Sequence, residues 1–210
     1  MTRGAFIERI IIQYYGGLPE DDSDLTHDIL NSYLPDALGA AAKQCYAESI
    51  KVDGVAYVNN SFYSTFSGLQ VLPDDTDNMC YKIELPEIPV GIGRNEGVSE
   101  LRFKAENEFV SRSAIPVDIA QWGYMDNMRQ IPNKIFYLPE GKYIRIKTTL
   151  ILTEYNGIVK MISGGDGNDL DSELNVPPDY LPIMSKYILE QLSIQKRNKP
   201  DVASDGVDMA

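Results

Sequence analysis

Cysteine and histidine are nearly absent from this chain of 210 residues, which carries two of the first and one of the second. Cys45 and Cys80 are too few and too far apart for a disulfide framework, and a lone histidine excludes the usual zinc ligand sets. Both cysteines read as buried small apolar residues. No apolar run approaches the roughly eighteen residues that mark a membrane-spanning helix. The opening Met1-Thr2-Arg3-Gly4-Ala5-Phe6 lacks the long apolar segment and small-residue cleavage site of a secretory signal. The expected place of action is therefore the cytosol in which the chain is made, or a destination reached without secretion. Lysine and arginine are also scarce, 19 against 31 aspartates and glutamates. No stretch concentrates them as a binder of nucleic acid must to replace phosphate counterions.

What is present is acid. The net charge of −12 gathers in three blocks: Glu20, Asp21, Asp22, Asp24 and Asp28; Asp74, Asp75 and Asp77; Asp166, Asp169, Asp171 and Glu173. All three fall on expected loops or helix starts, where a solvated acidic surface is the default reading. Such a surface also suits a passage through which DNA must move without sticking. With 43% hydrophobic residues the chain has enough apolar material for a core.

The period of the apolar residues divides the chain. Arg3 to about Tyr15 reads as a helix with Phe6, Ile10 and Tyr14 on one face, ended by Gly16-Gly17. Asp22-Ser23-Asp24 offers an N-cap for a longer helix carrying Leu30, Leu34, Ala37, Leu38, Ala41 and Cys45, with a kink expected near Leu34 from Pro35. The run Ala40-Ala41-Ala42 permits close approach of another helix. From about Ile50 the period falls to two, around residues 62–67, 79–85 and 98–103. Residues 134–138 and 142–146, joined by Pro139-Glu140-Gly141, form the clearest hairpin, and Gly157 to Ser163 a last strand.

The final helix is expected from about Asp179 to Arg197, after Pro177-Pro178. Leu181, Met184, Ile188 and Leu192 form one apolar stripe; Tyr180, Ile183, Tyr187 and Ile194 form a second. Together they exceed the roughly 100° that a surface helix buries, so the helix is either central to its own core or shared with a neighbouring subunit. Beyond Arg197 the pattern stops, and the tail reads as extended or disordered in isolation.

Candidate chemistry is thin. Gly91-Ile92-Gly93-Arg94-Asn95-Glu96-Gly97 has the wrong spacing for a phosphate loop and precedes a strand where a helix N-terminus is required, so it reads as a mobile loop that touches a partner or lines a channel. Asp166 to Glu173 is rich in oxygen ligands, but Leu170, Asp171 and Pro177 break the calcium-loop pattern. His27 has no nucleophile at any supporting spacing, and Trp122 is better read as a core anchor than as a sugar platform. The sequence nominates no catalytic, cofactor-binding or metal-ligating residue, no cofactor, and no enzymatic activity.

Several stretches carry a resemblance. Residues 1–11 (MTRGAFIERII), 57–63 (YVNNSFY), 85–98 (LPEIPVGIGRNEGV) and the run from Met161-Ile162-Ser163-Gly164-Gly165-Asp166 through Pro178-Asp179-Tyr180 resemble virion structural proteins of crAss-like, short-tailed bacteriophages. The similarity runs through most of the chain, and none of its motifs is catalytic. It implies a head-to-tail connector: a neck protein that forms a homo-oligomeric ring, commonly a dodecamer, joining the portal to the tail and lining the DNA exit channel. The implied partners are other copies of itself, the portal protein and adjacent neck or tail ring proteins, with passive passage of DNA, no sequence-specific nucleic-acid binding and no membrane. The implied location is the virion, after assembly in the bacterial host cytoplasm.

The expected fold is α+β, with N- and C-terminal helices packed together and an inserted β-rich sheet or small barrel. The expected parts are 1–49 helical, 50–163 a β-rich insertion, 164–197 an acidic loop and closing helix, and 198–210 a flexible tail. Two rival functions accompany this reading. One is a monomeric binding module that recognises a sugar or peptide through its β-rich middle, with Trp122 and the tyrosines as platform; the other is an enzyme built on an Asp/Glu pair.

Overall fold

The computed structural model describes residues 1–17, 25–74, 80–92, 97–105, 109–125, 133–164 and 169–198. Helix α1 (Arg3–Tyr15) starts where the Thr2 hydroxyl accepts from the Ala5 amide at 3.3 Å and stops at Gly16, whose φ of 70° only glycine adopts cheaply. Helix α2 (His27–Asp53) is capped by Thr26, which accepts from the Ile29 amide. Thr26 takes the cap because it already lies in the extended conformation beside the first turn; of the expected cap Asp22-Ser23-Asp24, all three residues lie outside those described. The helix continues through Pro35 to Asp53, past the expected boundary at residue 49. Helix α4 (Leu181–Asn198) follows a single 3-10 turn at Pro178–Tyr180.

One apolar cluster joins these helices: Phe6, Ile7 and Ile10 of α1, Leu30, Leu34, Ala37, Ala41 and Cys45 of α2, and Met184, Ile188 and Leu192 of α4. Helix α4 packs chiefly on α2, whose Ala41 and Ala42 are buried. The second stripe of α4 does not stand free. Tyr180, Ile183 and Tyr187 are half-buried against the same cluster, and only Ile194 is exposed. A hydrogen bond from the Tyr180 hydroxyl to Glu48 (2.9 Å) ties the start of α4 to α2, and bonds from Gln44 and Tyr180 hold the Glu48 carboxyl below its ordinary pKa.

The middle of the chain forms one mixed sheet. Its strands are β1 (Ser64–Pro73), β2 (Cys80–Glu84), β3 (Val98–Ala105), β4 (Arg112–Ser113), β5 (Ile115–Pro116), β6 (Ile135–Glu140), β7 (Tyr143–Thr148) and β8 (Tyr155–Met161). Their order is β4-β3-β8-β1-β2-β7-β6-β5. The two end strands are halves of one segment. Ser113 pairs with Arg102 on β3, while Ile115 pairs with Phe136 on β6, so residues 112–116 bridge both edges of the sheet and it curves nearly into a barrel. β1 turns the corner: its first part pairs with β8 and its last with β2, and the register shifts between Phe66 and Leu69, where Gly68 has φ 74°. Inward residues of both halves, among them Val71, Ile83, Leu101, Phe103, Tyr137, Ile144, Ile146 and Val159, fill one core.

The expected hairpin is present with a shorter turn. Glu140 pairs with Tyr143, leaving Gly141 (φ 61°) and Lys142 as the turn, and Pro139 sits within β6 opposite Ile144. That position is tolerated because β5 covers β6 only at Phe136 and Tyr137, so the prolyl nitrogen faces no strand. The parallel pairing of β5 with β6 requires a crossover, and helix α3 (Ile119–Met125) lies within it. The chain is thus an α+β fold with a large, nearly barrel-shaped mixed sheet.

Candidate functional surfaces

The described residues of the acidic 164–174 segment are engaged with the chain start. The amides of Arg3 and Gly4 donate to the carbonyls of Ser172 and Leu170, the Leu174 amide donates to the Met1 carbonyl, and Thr2 forms a bridge with Glu173. The Arg3 side chain is buried; its Nη1 donates to the Gly164 carbonyl at 2.7 Å and its Nε to Asn31 Oδ1 at 3.2 Å. Asp169 bends the segment locally, accepting from the Asp171 amide and the Ser172 hydroxyl. Among the described residues no three of His, Cys, Asp and Glu gather as a metal-binding set. Residues 166–168 of the calcium candidate lie outside the described residues, as do most of the two other acidic blocks and the tail from 199 to 210.

Of the glycine-rich stretch 91–97, residues 93–96 lie outside the described part. Its flanks are fixed. Ile92 is buried in the helical core, the Val90 amide donates to the Ile162 carbonyl, and the Ile162 amide donates to the Gly97 carbonyl. Gly97 then leads into β3, as the absence of a helix signal implied. His27 opens α2 at an exposed position, and Cys45 and Cys80 are both buried.

Trp122 is only 8% exposed. It lies on the outer surface of the sheet with Cys80, Val117 and Leu138, and two cations from β7, Arg145 and Lys147, stand 5.6 and 5.7 Å from its ring centre. Such cation–π pairs contribute about 2 kcal/mol when shielded from water. The ring is therefore an anchor that holds α3 on the sheet, while Tyr124 of the same helix stands exposed.

The outer face on β3 and β8 also carries outward charges, and among the described residues no element covers it. Outward residues pair across the strands as Glu100 with Lys160, Arg102 with Ile158, and Lys104 with Asn156. Of these, Glu100, Arg102, Lys104, Ile158 and Lys160 line a groove of ≈ 450 Å³ together with Thr65, Phe109 and Ser111. Arg102 is held by Glu100 at 2.6 Å, Lys160 donates to Asn60 and lies 5.4 Å from the Tyr63 ring centre, and Lys104 makes no hydrogen bond or ion pair among the described residues. At the rim Phe109 is fully exposed and Val110 nearly so. Composition hid this surface, because its three cations come from strands far apart in sequence. The alternation of charge in Glu100-Leu101-Arg102-Phe103-Lys104 was the available signal.

A second groove, of ≈ 460 Å³, runs between α1 and α4 and is lined by Arg9, Gln13, Lys186, Leu189 and Glu190. Ser185, which also lines it, is buried, and among the described residues its hydroxyl has no hydrogen-bond partner. No described helix is long and apolar enough to cross a membrane. No protein-family model matches the chain, and a search of curated proteins returns no match.

Proposed function

We propose that this chain is a structural virion protein that assembles into a homo-oligomeric ring in the neck of a short-tailed phage, joining portal to tail and lining the DNA exit channel. The finer architecture belongs to the same reading. The terminal helices act as one body, and the sheet between α2 and α4 is an insertion into it.

The observation that carries the reading is the sequence resemblance, which runs through most of the chain. The structure adds support of a general kind. Large apolar side chains stand exposed at separate places: Val52 and Val55 at the end of α2, Phe109 and Val110 beside β3, Ile119 and Tyr124 on α3. A ring needs unlike contacts, each subunit offering two different surfaces that close after a fixed number of copies. Exposed anchors on several faces fit that need better than a single ligand cleft does. The net charge of −12 fits a lumen through which DNA slides without being held. The proposed role is non-enzymatic, with partners in the portal and the neighbouring rings.

The test is light scattering on the purified chain, followed by negative-stain imaging with and without the portal protein. Closed rings in either sample support the reading and give the subunit number. A monomer that ignores the portal at every concentration overturns it.

A further inference from the structure

The groove between α1 and α4 contains a polar group that its walls leave unpaired. Arg9 and Gln13 of α1 stand across it from Pro182, Ser185, Lys186 and Leu189 of α4, and its volume is ≈ 460 Å³. Ser185 is 6% exposed, and among the described residues its hydroxyl has no partner. The other serines of the described α-helices behave differently. Ser32, Ser49 and Ser193 each donate to the carbonyl three residues back, at 2.7–2.8 Å, which is the usual resort of a helical hydroxyl. Ser185 makes no such bond, and a buried hydroxyl is costly until it gains a partner.

The chain that follows α4 has the make-up to supply one. Pro200 stops the helical path just past Asn198. In extended backbone alternate side chains share a side, so Ala203, Asp205, Val207 and Met209 line up together, three of the four apolar, with Val202, Ser204, Gly206 and Asp208 facing the other way.

We propose that residues 199–210 fold back along α4 and lie extended in the α1–α4 groove of their own chain, with Ala203, Val207 and Met209 turned toward it. Reach permits this. Twelve extended residues span about 40 Å, whereas the groove follows α4 from Ser193 to Pro182, about 17 Å at the helical rise. Three or so residues are left for the reversal at Pro200, and Val207 then comes to rest near Ser185 and Lys186. Extended backbone brings unpaired N–H and C=O groups, the partners that the Ser185 hydroxyl lacks. Tethering selects the own-chain segment over that of a second copy. A short link holds its segment at an effective concentration on the order of millimolar, while another copy offers the same segment only at the concentration of the protein. The contact lies within one copy, so it stands or falls independently of ring formation.

The experiment introduces Lys186→Cys and Val207→Cys together and follows their disulfide in a glutathione buffer at micromolar protein. Lys186 is exposed and both natural cysteines are buried, so the new pair reacts alone. The expected product is an internal disulfide, running as a monomer on a non-reducing gel. Adding Ala203→Asp/Met209→Asp is expected to lower its effective concentration roughly tenfold or more. Those two changes lie beyond α4 and outside both cores, so the chain that carries them folds like its parent. Equal internal pairing with and without the two aspartates, fast or slow, reports chance collision of a loose segment and overturns the contact. A disulfide that forms between chains and grows with protein concentration overturns the own-chain assignment and gives the groove to a neighbour's segment.

Discussion

The two cores of this protein are assembled from different spans of chain. The barrel-like core draws its buried residues from between Val71 and Met161, whereas the helical core reaches from Phe6 to Leu192. The first closes within that inserted span, by hairpins, by the distant pairings of β8 with β1 and β3 and of β2 with β7, and by one short bridging segment. The second exists only when both ends of the chain have come together, and Arg3 is the fastening: buried, bonded to Asn31 on α2 and to Gly164 just after β8. A long loop costs only about 0.6 kcal/mol more per doubling of its length, so inserting a whole sheet between α2 and α4 is thermodynamically cheap. What the insertion requires is a junction that joins the two cores. The Val90, Gly97 and Ile162 backbones provide it: Ile92 and Ile162 lie in one core, Val98 and Met161 in the other.

The comparison is broken most severely from the helical side. Ile188→Asp puts a carboxylate at a position with no exposure, in a helix that both other helices need. A loss of about 4 kcal/mol or more is expected, read as failure to fold or as loss of helical signal at room temperature. Tyr187→Asp, on the half-buried stripe, is expected to leave a folded chain. If Ile188→Asp folds and Tyr187→Asp does not, the faces of α4 are assigned the wrong way round.

From the barrel side, Phe103→Ala leaves a cavity worth roughly 3–5 kcal/mol. Calorimetry then decides how far the cores are independent. Two transitions, with only one moved by Phe103→Ala, mark separate cooperative units; a single transition moved as a whole marks one unit.

The junction is the subject of a third variant. A β-carbon at residue 97 would collide with the Val90 carbonyl oxygen, so Gly97→Ala must push the 85–92 segment away from β3. The expected cost is about 3 kcal/mol. Faster hydrogen exchange at Val90 and Ile162 than at core positions of either half would locate the damage. Unchanged exchange there would show that the two cores do not depend on this junction.

The smallest effect separates the cores by pH. Burial, and then the charge of Glu100, push the Tyr137 hydroxyl up to about 12 from its ordinary 10.0. A raised pKa means that the fold favours the neutral phenol, so this contribution is whole below pH 10 and is lost as the pH climbs through 12. The loss amounts to roughly 2 kcal/mol, and it should be absent from Tyr137→Phe in melts taken across that range. Tyr180 in the helical core is also raised, by its hydrogen bond with Cys45, by burial and by its bond to Glu48, so the helical core loses stability in the same direction. A Tyr137→Phe chain that loses as much as the wild type would assign the alkaline transition to Tyr180.

Much of this fold was legible because it is local. The apolar spacing of Phe6 and Ile10, the alternation in Cys80–Glu84 and Val98–Phe103, and the glycine at 141 between two aromatic-rich runs each report the backbone state of their own neighbourhood. The cap of α2 moved from Asp22-Ser23-Asp24 to Thr26 because several good capping residues lie close together and sequence does not rank them. Helix α3 and the bridge at residues 112–116 gave too short a pattern to register, two strand pairs and seven helical residues having no period of their own.

The sequence by itself determined the acidic character, the alternation of helical and extended segments, and the resemblance on which the ring reading stands. Tertiary structure alone decided that residues 112–116 bridge the sheet edges, that Trp122 lies beneath two cations, that α4 half-buries most of its second stripe, and that Arg102, Lys104 and Lys160 share one groove. The physical reason is the same in each case. Side-chain periodicity is written along the chain, but cross-strand neighbours such as Lys104 and Asn156 meet only through register, and register is set by the whole sheet closing on its core.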